Sequence, residues 1–226
     1  MQHRSSEVVQ ALEEEILAGN LVPGQRLPSE EKLCAQFGAS RTVIREAIQQ
    51  LRGRGLMRTL KGSGSYIADP SLDALASALE AYSVLTPEDS FLQLIDLRIL
   101  LETECARLAA HDAGEKAIAE IESHHLAMEQ SRGDRATFSA EDIAFHLAIA
   151  QASRNIIYAT ILRALEKRCI DYAIANRGDR DWYDGVIETH GHILAAIKDG
   201  NAEQAAETMR RHLLLSRRHY IDLGQE

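Results

Sequence analysis

Leu27 to Ile67 reads LPSEEKLCAQFGASRTVIREAIQQLRGRGLMRTLKGSGSYI, and this stretch decides the fold of the first third of the chain. The pattern predicts a helix, a tight turn, a second helix and a short hairpin. Ser29 is placed to cap the first helix, because its hydroxyl can accept from the unpaired amides of the first turn. Glu30 and Glu31 follow it and suit the positive helix end. Leu33 and Phe37 give that helix one apolar face, and Gly38 ends it where a left-handed residue is needed. Ser40 then caps a second helix in which Ile44, Ala47, Ile48 and Leu51 follow the i, i+3, i+4, i+7 rule. Arg41, Thr42, Arg45, Gln49 and Arg52 fall on its other side. Gly53 and Gly55 close it. Leu56–Lys61 and Ser65–Ala68 read as strands around Gly62-Ser63-Gly64, forming a wing. Two helices joined by a Gly-containing turn, the second apolar inside and basic outside, describe a winged helix-turn-helix.

Charge is distributed in keeping with this. Between Ser40 and Lys61 stand six basic residues and one acidic residue, Glu46, in a chain of formal charge -9. Residues 1–70 hold nine Lys and Arg against eight Asp and Glu, a balance of +1, and the remainder carries -10. A basic cluster on an acidic protein points to phosphate neutralisation, so the expected domains are 1–70, facing double-stranded DNA, and 71–226, facing something else. The bland alternative is a small helical domain whose basic face is only solvated.

Of the 226 residues 45% are apolar but only 5% aromatic, with four prolines, a balance that favours helices over sheets. Cys34, Cys105 and Cys169 are far apart without metal-finger spacing, which suits buried thiols in a reducing compartment. There is no apolar signal core and no apolar run long enough to span a bilayer, so a cytoplasmic protein with no membrane association is expected. A first helix is expected over about Ser6–Ala18. After Asp69-Pro70 the pattern is helical almost throughout: a linker helix with Leu72, Leu75, Leu79 and Tyr82, a helix started by Thr86-Pro87-Glu88 and running to about His111, one containing Ile118, Ile121 and Met128, and further helices over about 139–153, 156–176, 182–198 and 201–222. The expected fold is mainly α, the second domain being an all-α antiparallel bundle.

The bundle places ionisable residues on inner faces. Asp142 and His146 are one turn apart beside Phe145 and Ile149. His190 lies on a stripe with Ile187, Leu194 and Ile197, and His212 on one with Ala205 and Met209. Each histidine alone reads equally as a hydrogen-bonded core residue, whereas a shared divalent cation would satisfy all four groups. Three imidazoles and a carboxylate suit zinc first, with nickel, manganese or iron as alternatives, over calcium or magnesium. Arg98 and Glu102, also one turn apart, can pair with each other, or Arg98 can grip an anion. His192 falls on a different face, and His124-His125 read as solvated. No nucleophile with an adjacent base and no cofactor loop is found, so no catalytic residue is expected.

Taken as a set, Pro23-Gly24, Leu27-Pro28-Ser29-Glu30, Leu33, Gly38, Ser40-Arg41, Val43, Arg45-Glu46-Ala47, Leu51, Gly55-Leu56 and Gly62-Ser63-Gly64 resemble the winged-helix domain of the GntR superfamily of bacterial transcription regulators. That resemblance implies DNA contacts from Ser40, Arg41, Thr42 and Arg45 and, at the wing tip, from Lys61 and Gly62. Glu31 departs from the arginine usual at its position, so the operator sequence cannot be carried over. Arg98-x-x-x-Glu102, Asp142-x-x-Phe145-His146, His190-x-x-Ile193-Leu194 and Met209-x-x-His212-Leu213 resemble the helical FCD ligand-binding domain of the FadR branch. The resemblance implies that Asp142, His146, His190 and His212 coordinate one divalent transition metal. An ion held by four protein ligands still has coordination positions open to a small organic acid, whose carboxylate Arg98 could grip. Operator symmetry leads to the expectation of a homodimer on a palindromic operator, and the resemblance implies repression. A metal-sensing regulator is the alternative, and a metal-dependent enzyme a more distant one.

Overall fold

Side-chain caps set the boundaries of the amino-terminal helices. The computed structural model describes residues 2–85, 91–175 and 180–223, with helix α1 at Gln2–Leu17, α2 at Glu30–Phe37 and α3 at Arg41–Gly53. The Ser29 hydroxyl accepts from the Lys32 amide and the Ser40 hydroxyl from the Val43 amide, each at 3.4 Å. Gly38 ends α2 in the left-handed region at φ +56°, a conformation that costs a side chain about 1 kcal/mol or more. Helix α1 starts earlier than its apolar pattern suggested, four residues ahead of Ser6. Its Val8, Val9 and Leu12 are buried with Ile44, Ala47 and Leu51 of α3 in one core. Burying each large aliphatic side chain there contributes about 1.5–3 kcal/mol, which offsets the ordering of two short helices.

Strands β1 (Met57–Leu60) and β2 (Gly64–Ile67) pair antiparallel, with Met57 opposite Ile67 and Leu60 opposite Gly64. Met57 and Ile67 are buried at the base of the hairpin, and the exposed tip turns at Gly62, φ +77°. A third extended segment lies along β2: the Leu27 amide donates to Ser65 O and the Ile67 amide to Gln25 O, both at 2.9 Å. It is too short to show alternation in the sequence.

Contacts divide the chain into two units, Met1–Ala74 and Leu75–Glu226. Helix α4 (Asp73–Leu85) leads into the second, and the stripe expected to be its inner face is not buried, since Tyr82 is 63% exposed. The Thr86-Pro87-Glu88 start lies outside the described residues. Then come α5 (Phe91–Asp112), α6 (Glu115–Gln130), α7 (Arg135–Ala152), α8 (Ile156–Ala164), α9 (Glu166–Ala175), α10 (Arg180–Lys198) and α11 (Ala202–Leu223). One helix was expected where α8 and α9 stand. The Leu165 amide closes onto Leu162 O, three residues back, and this tight turn lets Leu162, Leu165 and Cys169 all be buried. Neither Gly nor Pro marks that break. Asp134 caps α7 through the Ala136 and Thr137 amides, and Asn155 caps α8 through those of Ile157 and Tyr158.

Helix α5 packs along α11 and α7, α6 along α7 and α10, and α10 against α11. The core they share holds Cys105, Ile121, Phe145, Ile149, Ile193 and Met209. Among the described residues no helix is long and apolar enough to cross a membrane.

Candidate functional site

Helices α7, α10 and α11 meet around four side chains. Asp142 and His146 come from successive turns of α7, His190 from the middle of α10 and His212 from α11. Each histidine is drawn inward because its i±3 and i±4 neighbours are core residues: Ile149 for His146, Ile193 and Leu194 for His190, and Met209 for His212. One ligand-type atom from each of the four lies within 4.8 Å of the other three. The three imidazoles are buried, and Asp142 is partly exposed. The Nε2 atoms of His146 and His190 are 3.1 Å apart, and His190 Nε2 is 3.4 Å from Asp142 Oδ1. Phe145 meets the His190 ring edge-on at a centroid distance of 4.5 Å and limits its rotation.

Hydrogen bonds outside the cluster determine what the inner atoms can do. His190 Nδ1 donates to Val186 O at 2.8 Å, so its Nε2 carries a lone pair into the cluster. His146 Nδ1 sits 2.5 Å from Glu102 Oε2, close although out of line for a hydrogen bond, and beside a carboxylate that nitrogen must carry the proton. Burial, and after it the neighbouring imidazoles, pushes His190 and His212 well below the ordinary histidine range, so both are neutral at pH 7. Burial also pushes the Asp142 carboxyl up, against the pull of His146 and Arg98. Two inward lone pairs and a carboxylate thus converge. A proton shared between His146 and His190 would satisfy two of these groups, whereas a cation satisfies all four. The donor set therefore fits a divalent transition metal of the zinc type.

Beside the quartet lies an open pocket with a cavity volume of about 80 Å³, lined by Asp142 and His212 and by Arg98, Ser139, Trp182, Tyr183, Ser216 and His219. Arg98 makes the pairing considered from the sequence, its Nε donating to Glu102 Oε1 at 2.6 Å, and its side chain also lines the pocket. Burial would lift the Glu102 carboxyl, but Arg98 and His146 outweigh it and hold it at about 2. Burial works against the Arg98 charge as well, and Glu102 overcomes it.

Several pocket residues escaped the sequence reading. Ser216 and His219 follow His212 by four and seven residues on α11, and that spacing alone was a usable signal for a shared face. His219 stacks on Trp182 at 3.9 Å between ring centroids, a contact with no local signature. His192 is exposed, as its helix face implied. His124 and His125 are partly buried instead of solvated: His124 Nδ1 lies 2.7 Å from Glu141 Oε2, and His125 packs near Phe145.

In the amino-terminal unit, Ser40, Arg41, Thr42 and Arg45 are exposed along the outer face of α3, and Lys61 and Gly62 are exposed at the hairpin tip. Arg45 is not free. Its Nε reaches both carboxylate oxygens of Glu30, at 2.9 and 3.0 Å. Arg54 pairs with Glu13, and Arg58 with Asp69 at 3.5 Å. These partners come from outside the helix, which is why the run of basic residues suggested more free cations than there are. Arg41, Arg52 and Lys61 form no ion pair among the described residues. Glu31 is exposed near the start of α2.

Comparison with known proteins agrees with both halves. The family model "Bacterial regulatory proteins, gntR family" matches residues 4–67, and the model "FCD domain" matches residues 93–215. The chain is 30% identical to the HTH-type transcriptional regulator LutR of Bacillus subtilis (strain 168), over 86% of this chain and 91% of that one. It is also 30% identical to the HTH-type transcriptional repressor NanR of Edwardsiella tarda (strain FL6-60), over 92% of this chain and 82% of that one. Among solved structures, a GntR protein of Streptococcus agalactiae superposes with a TM-score of 0.63 at 26% identity, covering 95% of this chain and 99% of that one.

Proposed function

The chain belongs to the GntR family of bacterial regulatory proteins, with an FCD domain, and is a transcriptional regulator and not an enzyme; from this we propose that it is a cytoplasmic, homodimeric repressor whose operator affinity is set by a divalent metal and a small organic acid. The observation that carries this reading is the convergence of Asp142, His146, His190 and His212 on one point that opens into the Arg98 pocket.

In this reading Ser40, Arg41, Thr42 and Arg45 meet the DNA from α3, and Lys61 and Gly62 meet it from the wing. Phosphate contacts supply affinity, and side chains in the major groove supply sequence preference. The four ligand groups hold one ion, most readily zinc, which when bound supplies a Lewis-acid attachment point for a carboxylate. His146 and His190 keep their Nε2 atoms turned toward that point through their Nδ1 contacts. Arg98 offers its guanidinium to the acid's carboxylate from within the pocket. A homodimer would present two α3 helices to a palindromic operator. Only an acid that binds one arrangement of the dimer better than the other changes the affinity for DNA. NanR is named a repressor, and in this reading the chain acts in the same direction.

The test is a mobility shift on the DNA upstream of the protein's own gene. Metal-stripped chain is compared with chain given zinc, nickel or manganese, each with and without a panel of small organic acids. Release by an acid only when metal is bound supports the reading. Binding or release governed by metal alone supports the second reading, a metal sensor, which the same quartet would also serve. Indifference to every metal and acid refutes both.

A further inference from the structure

Glu102 on α5 is almost fully buried, and its two oxygens point to different partners. Oε1 accepts from Arg98 Nε at 2.6 Å, and Oε2 lies 2.5 Å from His146 Nδ1. No other donor among the described residues reaches Oε2. One carboxylate thus stands between the arginine that lines the pocket and the histidine whose opposite nitrogen faces the quartet.

A carboxylate in such a place has two physical consequences. Facing Nδ1, it excludes the tautomer with the proton on Nε2 alone, because two sets of lone pairs would then meet in a dry interior. By accepting from Nε, it fixes the guanidinium plane and leaves the other edge of Arg98 for an anion. A metal-bound histidine commonly has a carboxylate behind it, and losing that carboxylate typically lowers metal affinity 10–100-fold.

We propose that Glu102 is a positioning residue that holds His146 ready for an ion and Arg98 ready for an anion, tying the two halves of the site to one buried carboxylate. The proposal rests on the quartet being an ion site. Glu102 touches neither ligand; it acts through the residues on either side of it.

The experiment titrates metal-stripped full-length chain with zinc against a chromophoric competitor, for the natural chain and for Glu102→Gln. The glutamine keeps the side-chain length but loses the charge. The expected result is one zinc per natural chain and 10–100-fold weaker binding by Glu102→Gln. Glu104→Gln, on the same helix but paired with Arg107 away from the site, should bind as the natural chain does. Equal zinc affinity in Glu102→Gln would overturn the proposal while leaving the ion site standing. No zinc bound by the natural chain would remove the ion site itself, and the proposal with it. Because Glu102→Gln can fail to fold, a second measurement uses the natural chain alone: long-range nitrogen–proton NMR of the histidine rings. A protonated Nδ1 on His146, with Nε2 moving on zinc addition, upholds the assignment; a proton confined to Nε2 overturns it.

Discussion

Replacing His190 by alanine separates the two contributions that this residue makes. In the metal-free chain the change empties the space of a fully buried ring that meets Phe145 edge-on, and it removes a donor from Val186 O. Truncating a buried ring to alanine costs about 3–5 kcal/mol when nothing else changes. Here part of that is returned, because the variant no longer holds a lone pair 3.1 Å from His146 Nε2 and 3.4 Å from Asp142. The metal-free variant should therefore be less stable by only about 1–3 kcal/mol. In the natural chain, zinc at a thousandfold excess over its dissociation constant adds about 4 kcal/mol. For a unit of this size each kcal/mol is worth about 2–4 °C, so zinc should raise the melting temperature by about 8–16 °C. The variant, one ligand short, should gain under about 1 kcal/mol at the same zinc concentration. The assay is calorimetry of both chains with chelator and with zinc. The decisive quantity is the difference between the two zinc increments; an equal rise in both chains would refute the placement of His190 at the ion.

The other expectations are narrower. Arg41→Ala and Arg45→Ala should each weaken operator binding and lower the slope of log affinity against log salt by about 1, with stability changed by under about 0.5 kcal/mol; fluorescence anisotropy across a salt series and a melting curve check both. The Asp134 carboxyl is held below its ordinary range by the Thr137 hydroxyl and amide. Its stabilisation of α7 is therefore present above the unfolded value of 3.8 and lost as pH falls through the lower folded value. Asp134→Asn keeps an N-cap but does not titrate, so it should flatten that acid-side loss in melting curves between pH 5 and about 2. Burial pushes the Cys105 thiol up to about 12 and the Cys169 thiol up to about 11, while Cys34 is half-exposed. Native protein at pH 8 should therefore give one fast-reacting thiol in a chromogenic thiol assay, and Cys34→Ser should abolish it.

The parts of this protein that sequence revealed are those governed by local rules. Ser29, Ser40 and Gly38 mark helix ends because a cap acts within three residues of itself. The apolar positions of α3 sit inside because helical periodicity puts them on one face. The four ligand-type residues were identifiable for the same reason: each lies on an apolar stripe, and the motifs around them resemble those of a known domain. The break between α8 and α9 left no mark in the sequence, because a tight turn at Leu165 needs no glycine or proline when burying its neighbours favours it.

What needed the tertiary structure is everything that depends on residues distant in the chain. Glu30 holds Arg45 from fifteen positions away, and Glu102 faces His146 from forty-four. Trp182 stacks on His219 from thirty-seven positions away, and nothing next to either residue in the sequence gives a hint of that contact. Whether a charge is free or paired, and which nitrogen of a histidine carries its proton, follows from what the fold brings alongside it. Composition, capping and periodicity thus determined the elements and their inward faces. The pairings that give those faces their chemistry came only with packing, because electrostatic interactions act through space and a sequence records order along one line.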